Sequence, residues 1–156
     1  MADDNPADNP LVKEIFIDGS PEEIFPYLTE TDKYLQWMGR SAEIDPRPGG
    51  VFEINPNGRD VMRGKFLEVE APRRVVFTWG WTEPGKGVPA GSTTVEIELI
   101  PQDGGTLLRL THRNLPAPSR DRHEMGWSHY LGRLKIVAAG GDPGPDPFAD
   151  QDCRHG

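Results

Sequence analysis

Apolar and polar positions first fall into order over Val12-Lys13-Glu14-Ile15-Phe16-Ile17, an extended strand that stops at the turn formers Asp18-Gly19. A helix start follows at once. Ser20 stands at the N-cap, Pro21 at the first helical position and Glu23 three residues past the cap, with Ile24, Phe25 and Leu28 on one face. Pro26 limits this helix, although a proline in the first turns is tolerated because early amides lack intrahelical acceptors. A second short helical piece is predicted from Thr31 to Met38, with Tyr34, Leu35 and Trp37 or Met38 turned inward and Gly39 marking its end.

From residue 40 the pattern changes to short strands. Pro46-Arg47-Pro48-Gly49-Gly50, Asn55-Pro56-Asn57-Gly58, Ala71-Pro72-Arg73-Arg74 and Asp103-Gly104-Gly105 each separate two strand-like runs. The strands are expected over 41–45, 51–55, 60–70, 74–81, 92–101 and 105–113, a β-meander that brings the total to about seven. Val75, Phe77, Trp79 and Trp81 are in phase, as are Val95, Ile97 and Leu99, and then Leu108, Leu110 and His112. Glu96, Glu98, Arg109 and Thr111 take the other side, so one face is apolar and the other wet. The Gly- and Pro-rich stretch over 83–91 is longer than a tight hairpin needs and is expected to be a mobile loop.

Pro116 to Ser119 closes the meander. Beyond it His123, Trp127, Tyr130 or Leu131, Leu134 and Val137 or Ala138 recur three or four apart, with Arg120, Arg122, Arg133 and Lys135 largely off that stripe. Gly140-Gly141 stops this long helix, and Asp142-Pro143-Gly144-Pro145-Asp146-Pro147 can neither continue it nor pair in a ladder. The expected organisation is a disordered acidic leader over 1–10, one domain over 11–139 and a disordered Pro/Gly/Asp-rich tail over 140–156.

A strand, two short helices, six more antiparallel strands and a long amphipathic helix make an α+β architecture in which the helix must cover the apolar face of the sheet. A curved sheet wrapped around a helix tends to enclose a cavity. The side chains whose phase turns them toward that gap are Trp37, Phe52, Met62, Phe66, Trp79, Trp81, Trp127 and Tyr130. Large aromatics of this kind line small-molecule pockets, and at strand or helix spacing they also build plain core. Trp81 adjoins the loop over 83–91, which is placed to gate entry, and Gly126 is expected to let the turn carrying Trp127 approach a strand closely.

His112 ends an inward stripe and is the polar candidate. It can hydrogen-bond a ligand or act as a general base, its unperturbed pKa being about 6.5; the plainer alternative is a strand-end histidine satisfied by its neighbours. His123 and His129 lie six apart on different faces of the last helix, which defeats a shared metal site. Cys153 and His155, with Asp150 and Asp152, sit in the tail without fixed geometry, so no metal site is expected. Gly49-Gly50 and the glycines over 85–91 lack the Lys-Ser/Thr ending of a phosphate loop, and no Ser or Cys stands in a nucleophile motif. No cofactor is implied.

Charge narrows the partners. Of the net −8, the segments 1–10 and 140–156 carry −3 each, which leaves −2 for residues 11–139 and no basic face to meet phosphates. No nucleic-acid partner is expected. No apolar run of about 18 residues is present, and Met1 to Pro10 has neither the basic start nor the apolar centre of a signal peptide. The lone Cys153 excludes a disulfide scaffold, so the protein is expected to be cytoplasmic and to have no membrane partner.

The order of elements, Ser20-Pro21-Glu22-Glu23, Trp37, Arg47-Pro48-Gly49-Gly50-Val51-Phe52, Gly64 with Phe66-Leu67-Glu68-Val69, Pro72 through Trp79, Gly105-Thr106 through His112, and Gly126-Trp127 together resemble the SRPBCC superfamily. Within it they look most like the activator of heat-shock-protein-90 ATPase homologue-like branch, over about residues 11–139. That resemblance implies a START-related helix-grip fold, with an elongated hydrophobic cavity between a curved antiparallel sheet and the C-terminal helix. Its members bind lipids, sterols, polyketides or other apolar molecules, and a minority are cyclases or dehydratases. Function carried over in this way is analogy at the level of fold.

Three roles are therefore carried forward. The first is binding of an apolar small molecule, and the second a polyketide cyclase- or dehydratase-like enzyme in which His112 moves a proton. The third is a chaperone partner whose ATPase is stimulated. It ranks last because the eukaryotic activators carry an additional N-terminal domain that does most of the clamping, where this chain has a ten-residue acidic leader. Monomer and homodimer both remain open.

Overall fold

The computed structural model describes residues 10–38, 41–55, 61–82, 91–115 and 117–143. Strand β1 (Leu11–Ile17) leads into three consecutive helical turns, α1 (Pro21–Ile24), α2 (Pro26–Thr29) and α3 (Thr31–Tyr34). The first is held by a closed capping box: the Glu23 amide donates to Ser20 Oγ at 3.2 Å, and the Ser20 amide donates to Glu23 Oε1 at 2.8 Å. Pro26 limits α1 as expected, since the last bond of that helix runs from the Phe25 amide to the Pro21 carbonyl and proline has no amide hydrogen to continue it. Pro26 also opens α2, where a missing amide hydrogen costs nothing because that amide would have no intrahelical acceptor.

Six strands follow, β2 (Ser41–Ile44), β3 (Val51–Asn55), β4 (Met62–Glu70), β5 (Arg74–Trp79), β6 (Thr93–Gln102) and β7 (Gly105–Arg113), and then α4 (Ala117–Ala138). All seven strands form one antiparallel sheet in the order β1-β7-β6-β5-β4-β3-β2. The meander predicted from turn chemistry is therefore present, and β1 joins its far edge by pairing Leu11 with His112 and Ile17 with Thr106. This is the helix-grip α+β fold.

Local chemistry fixes the register. Gln102 pairs with Gly105 across Asp103 and Gly104, whose φ values of 51° and 80° are both positive, as a two-residue hairpin turn requires. A bulge between Phe66 and Glu68 in β4 turns Leu67 outward while keeping Phe66 opposite Phe77. One inward row can then be followed across five strands through Leu11, His112, Val95, Phe77 and Phe66, all buried. The outer face carries charge pairs between neighbouring strands, among them Arg109 with Glu14 at 2.6 Å and Arg74 with Glu96 at 3.1 Å.

Helix α4 buries His123, Trp127, Tyr130, Leu131, Leu134 and Val137, the stripe expected from spacing. It lies against β1, where Lys13 Nζ meets Glu124 Oε2 at 3.6 Å, and Arg133 Nε donates to the Trp37 carbonyl at 3.1 Å. Its end is a Schellman motif: Gly140 has φ of 87° and donates to the Val137 carbonyl, while the Gly141 amide reaches back to Ile136.

Two boundaries and one packing role differ from expectation. Helix α4 begins at Ala117, inside the stretch assigned to the end of the meander, because Pro118 falls at the second helical position, where no acceptor is lost. Strand β5 ends at Trp79, and Trp81 rejoins the sheet through an isolated bridge to Met62. Gly126 does not serve close packing, since a Cβ placed there meets nothing within 4 Å. Most of the loop over 83–91, the turn after Asn55, Gly39, the leader before Pro10 and the tail beyond Pro143 lie outside the described residues.

Candidate functional site

The inward phase of β3, β4, β5 and β7 and the buried stripe of α4 deliver their large side chains to the same side of the sheet. Phe52 comes from β3, Met62 and Phe66 from β4, Trp79 from β5, His112 from β7, and Trp127 and Tyr130 from α4, with Trp37 and Trp81 from the turns beside α3 and β5. All nine are buried, and His112 is 0% exposed.

The rings form a connected series. Trp37 lies 4.7 Å from Tyr34 between centroids and Tyr34 lies 5.7 Å from Phe52, which stacks on Phe77 at 4.1 Å and also meets Phe66 at 5.7 Å. Trp79 continues the series, 5.9 Å from Phe52 and 5.1 Å from Trp127 on α4. Trp127 stands 6.1 Å from His112, which stands 5.5 Å from His123. Tyr130 packs instead on His129, at 4.8 Å. Aromatic pairs at these separations add a fraction of a kcal/mol to about 1.5 kcal/mol beyond the area they bury.

Within this apolar wall runs one chain of hydrogen bonds, and its direction can be derived. Trp127 Nε1–H, which can only donate, points at His112 Nδ1 at 3.1 Å, so Nδ1 must carry the lone pair. The neutral ring therefore holds its hydrogen on Nε2 and donates it to Thr93 Oγ1 at 2.8 Å. Thr93 is left free to donate its own hydrogen to the Trp79 carbonyl, also at 2.8 Å. Every donor in the series has an acceptor.

The same arrangement sets the charge of His112. Burial, and second the neighbouring His123, hold its pKa well below the ordinary histidine value. A second ring proton would set Nδ1–H against the indole N–H. Neither ring nitrogen is available to a substrate unless Trp127 or Thr93 moves away. Tyr34 is likewise kept neutral, burial raising its pKa far above the usual range, and its hydroxyl donates only to Met38 Sδ at 3.3 Å.

Sequence phase turns the nine side chains inward but does not show what links them. Thr93 was missed, although it stands two residues before Val95 on the inward stripe of β6. A threonine in a strand reads as a β-former, and the signal that could have found it is a hydroxyl in phase with an otherwise apolar row. Tyr34 and Phe77 are inward by phase but do not stand among the expected site residues. Among the described residues no cluster of His, Cys, Asp or Glu could hold a metal ion, and no helix is long and apolar enough to cross a membrane. Cys153, His155, Asp150 and Asp152 lie outside the described residues.

The human activator of 90 kDa heat shock protein ATPase homolog 1 is 27% identical over 120 residues, covering 76% of this chain. That stretch is 33% of the human protein, so this chain spans about a third of the length of the curated relative it matches. Among solved structures, the AHSA1-like protein RHE_CH02687 of Rhizobium etli is 47% identical, with a TM-score of 0.71 over 92% of this chain and 89% of that one. CalU16 of Micromonospora echinospora is 25% identical, with a TM-score of 0.72 over 90% of this chain and 78% of that one. The family model described as activator of Hsp90 ATPase homolog 1-like protein matches residues 18–139, the span from the turn before α1 to the end of α4, and the chain belongs to that family.

Proposed function

We propose that this protein is a cytoplasmic binding protein for an apolar small molecule, held between the inward face of the sheet and α4. Trp37, Phe52, Met62, Phe66, Trp79, Trp81, Trp127 and Tyr130 are its walls, and His112 keeps Trp127 and Thr93 in position. The observation that carries this is the convergence of rings from β3, β4, β5 and α4 on one connected surface, where flat apolar molecules gain most from burial and ring stacking. In this proposal His112 is a positioning residue, because both of its nitrogens are already engaged by protein groups.

The test uses the neutral fluorescent dye N-phenyl-1-naphthylamine, with affinity measured separately from melting temperature. Saturable one-to-one binding is expected, and Trp81→Ala and Trp127→Ala should weaken it beyond any loss from unfolding. Leu99→Ala, deep under the far end of the sheet, should lower the melting temperature and leave the folded protein's affinity unchanged. If all three variants lose binding only in proportion to lost stability, these aromatics are core and the proposal fails.

A second role is supported by the match to the human activator: stimulation of a heat-shock-protein-90-class ATPase. ATP turnover by such a chaperone, unchanged when this protein is added in excess, would remove that role.

A further inference from the structure

We infer that Trp79 Nε1–H is the polar anchor of the site, donating to an uncharged oxygen acceptor, a ketone- or quinone-type carbonyl, on an otherwise apolar ring-containing ligand. This rests on the binding role proposed above and specifies the ligand class.

Trp79 is 3% exposed, and its indole nitrogen is shielded from solvent with no hydrogen-bond acceptor among the described residues. An indole N–H can only donate, and buried donors are almost always paired. The contrast lies within the same wall. Trp37 Nε1–H donates to the Tyr27 carbonyl at 2.9 Å, and Trp127 Nε1–H donates to His112. Thr93, hydrogen-bonded to the backbone carbonyl of Trp79 itself, has its one hydroxyl donor committed. A fold that satisfies each of these donors leaves the one at the centre of the aromatic series open. An N–H directed at a ring face recovers only part of what an oxygen acceptor supplies.

The acceptor must be neutral. The buried polar residues among those described are Thr29, Thr93, Thr106, Thr111, His112 and His123, with no Lys or Arg. The cations of neighbouring elements are engaged at the margin, Lys13 with Glu124 and Arg133 with the Trp37 carbonyl. His112, which faces Trp79 at 6.1 Å, is locked neutral by Trp127. A carboxylate or phosphate brought to Trp79 would be a buried charge without a Lys or Arg counter-ion among the described residues, whereas a carbonyl needs only the one donor present. Phe52, Phe77 and Trp127 lie 5.9, 6.2 and 5.1 Å from the indole between ring centroids, each tilted to it, an aromatic setting that suits a ring-containing ligand.

A matched pair of probes isolates the interaction: 9-fluorenone carries the carbonyl, and fluorene has the same rings without it. The wild-type protein and Trp79→Phe, which keeps a ring and removes the N–H, are titrated with both. The preference for fluorenone over fluorene should fall about fivefold to tenfold in Trp79→Phe, the ratio expected for one lost hydrogen bond, because the smaller ring weakens both probes alike and cancels in the ratio. In the wild-type protein, nitrogen-proton correlation spectra should show the Trp79 indole resonance, assigned through contacts to Thr93 and His112, moving downfield with fluorenone and not with fluorene. That second measurement holds even if Trp79→Phe does not fold. Both probes binding with an unmoved indole resonance and an unchanged preference would overturn the anchor and leave the binding role standing. Neither probe binding would overturn both.

Discussion

At neutral pH an imidazole has two charge states open to it, but His112, set between Trp127 Nε1–H and Thr93 Oγ1, accommodates only the neutral one. Its folded pKa is depressed below the unfolded value, so the sign of the pH dependence follows. Well above about pH 6.5 neither state is protonated at this residue and its contribution is constant. As the pH falls below that value the unfolded chain takes up a proton that the fold refuses, and stability drops by up to about 1.4 kcal/mol per pH unit until the folded pKa is reached. Urea unfolding at pH 7.5 and 5.5 should show this slope in the wild-type protein and a smaller one in His112→Gln; equal slopes would contradict the neutral assignment. Thr93→Val removes the acceptor for His112 and the donor to the Trp79 carbonyl, and should cost about 2–4 kcal/mol in chemical denaturation, against less than about 1 kcal/mol for Thr93→Ser. Phase along β7 was enough to turn His112 inward. It could not assign the ring's partners, because Trp127 and Thr93 meet it only when α4 and β6 close over β7.

Helix α4 shows how differently one residue type can act within an element. Gly140 holds φ of 87° at the C-terminal cap, whereas Gly126 and Gly132 lie in the helix interior with nothing within 4 Å of an added Cβ. Gly140→Ala should therefore lower stability by about 1 kcal/mol, and Gly126→Ala or Gly132→Ala should raise it by about 0.5–1 kcal/mol. Thermal unfolding of the three variants checks both signs, and a loss at Gly126 would show that its turn is packed after all. Elements with a local chemical signal were legible in the sequence: the Ser20 capping box, the Asp103-Gly104 hairpin and the Gly140-Gly141 stop. Proline acts in two ways: Pro26 ends α1 and opens α2, whereas the stretch from Pro116 to Ser119, expected to close the meander, already holds the first turn of α4 from Ala117, because a missing amide hydrogen is harmless at the second helical position.

Across the whole molecule, the sheet separates two chemistries. Its outer face is a mesh of Glu and Arg pairs, and its inner face joins α4 around rings and the neutral hydrogen-bond chain through His112. The fold was legible because alternation, turn residues and helix spacing all pointed to one arrangement. The proposed ligand rests on a feature without a periodic signal, a buried donor lacking an acceptor, which appears only once every neighbour has been placed. The most direct measurement is native mass spectrometry of the protein purified without detergent, repeated after incubation with an organic extract of cells, with any released molecule identified. The account predicts one neutral, ring-containing, carbonyl-bearing molecule per chain. A folded chain that emerges empty and stays empty after incubation would contradict it.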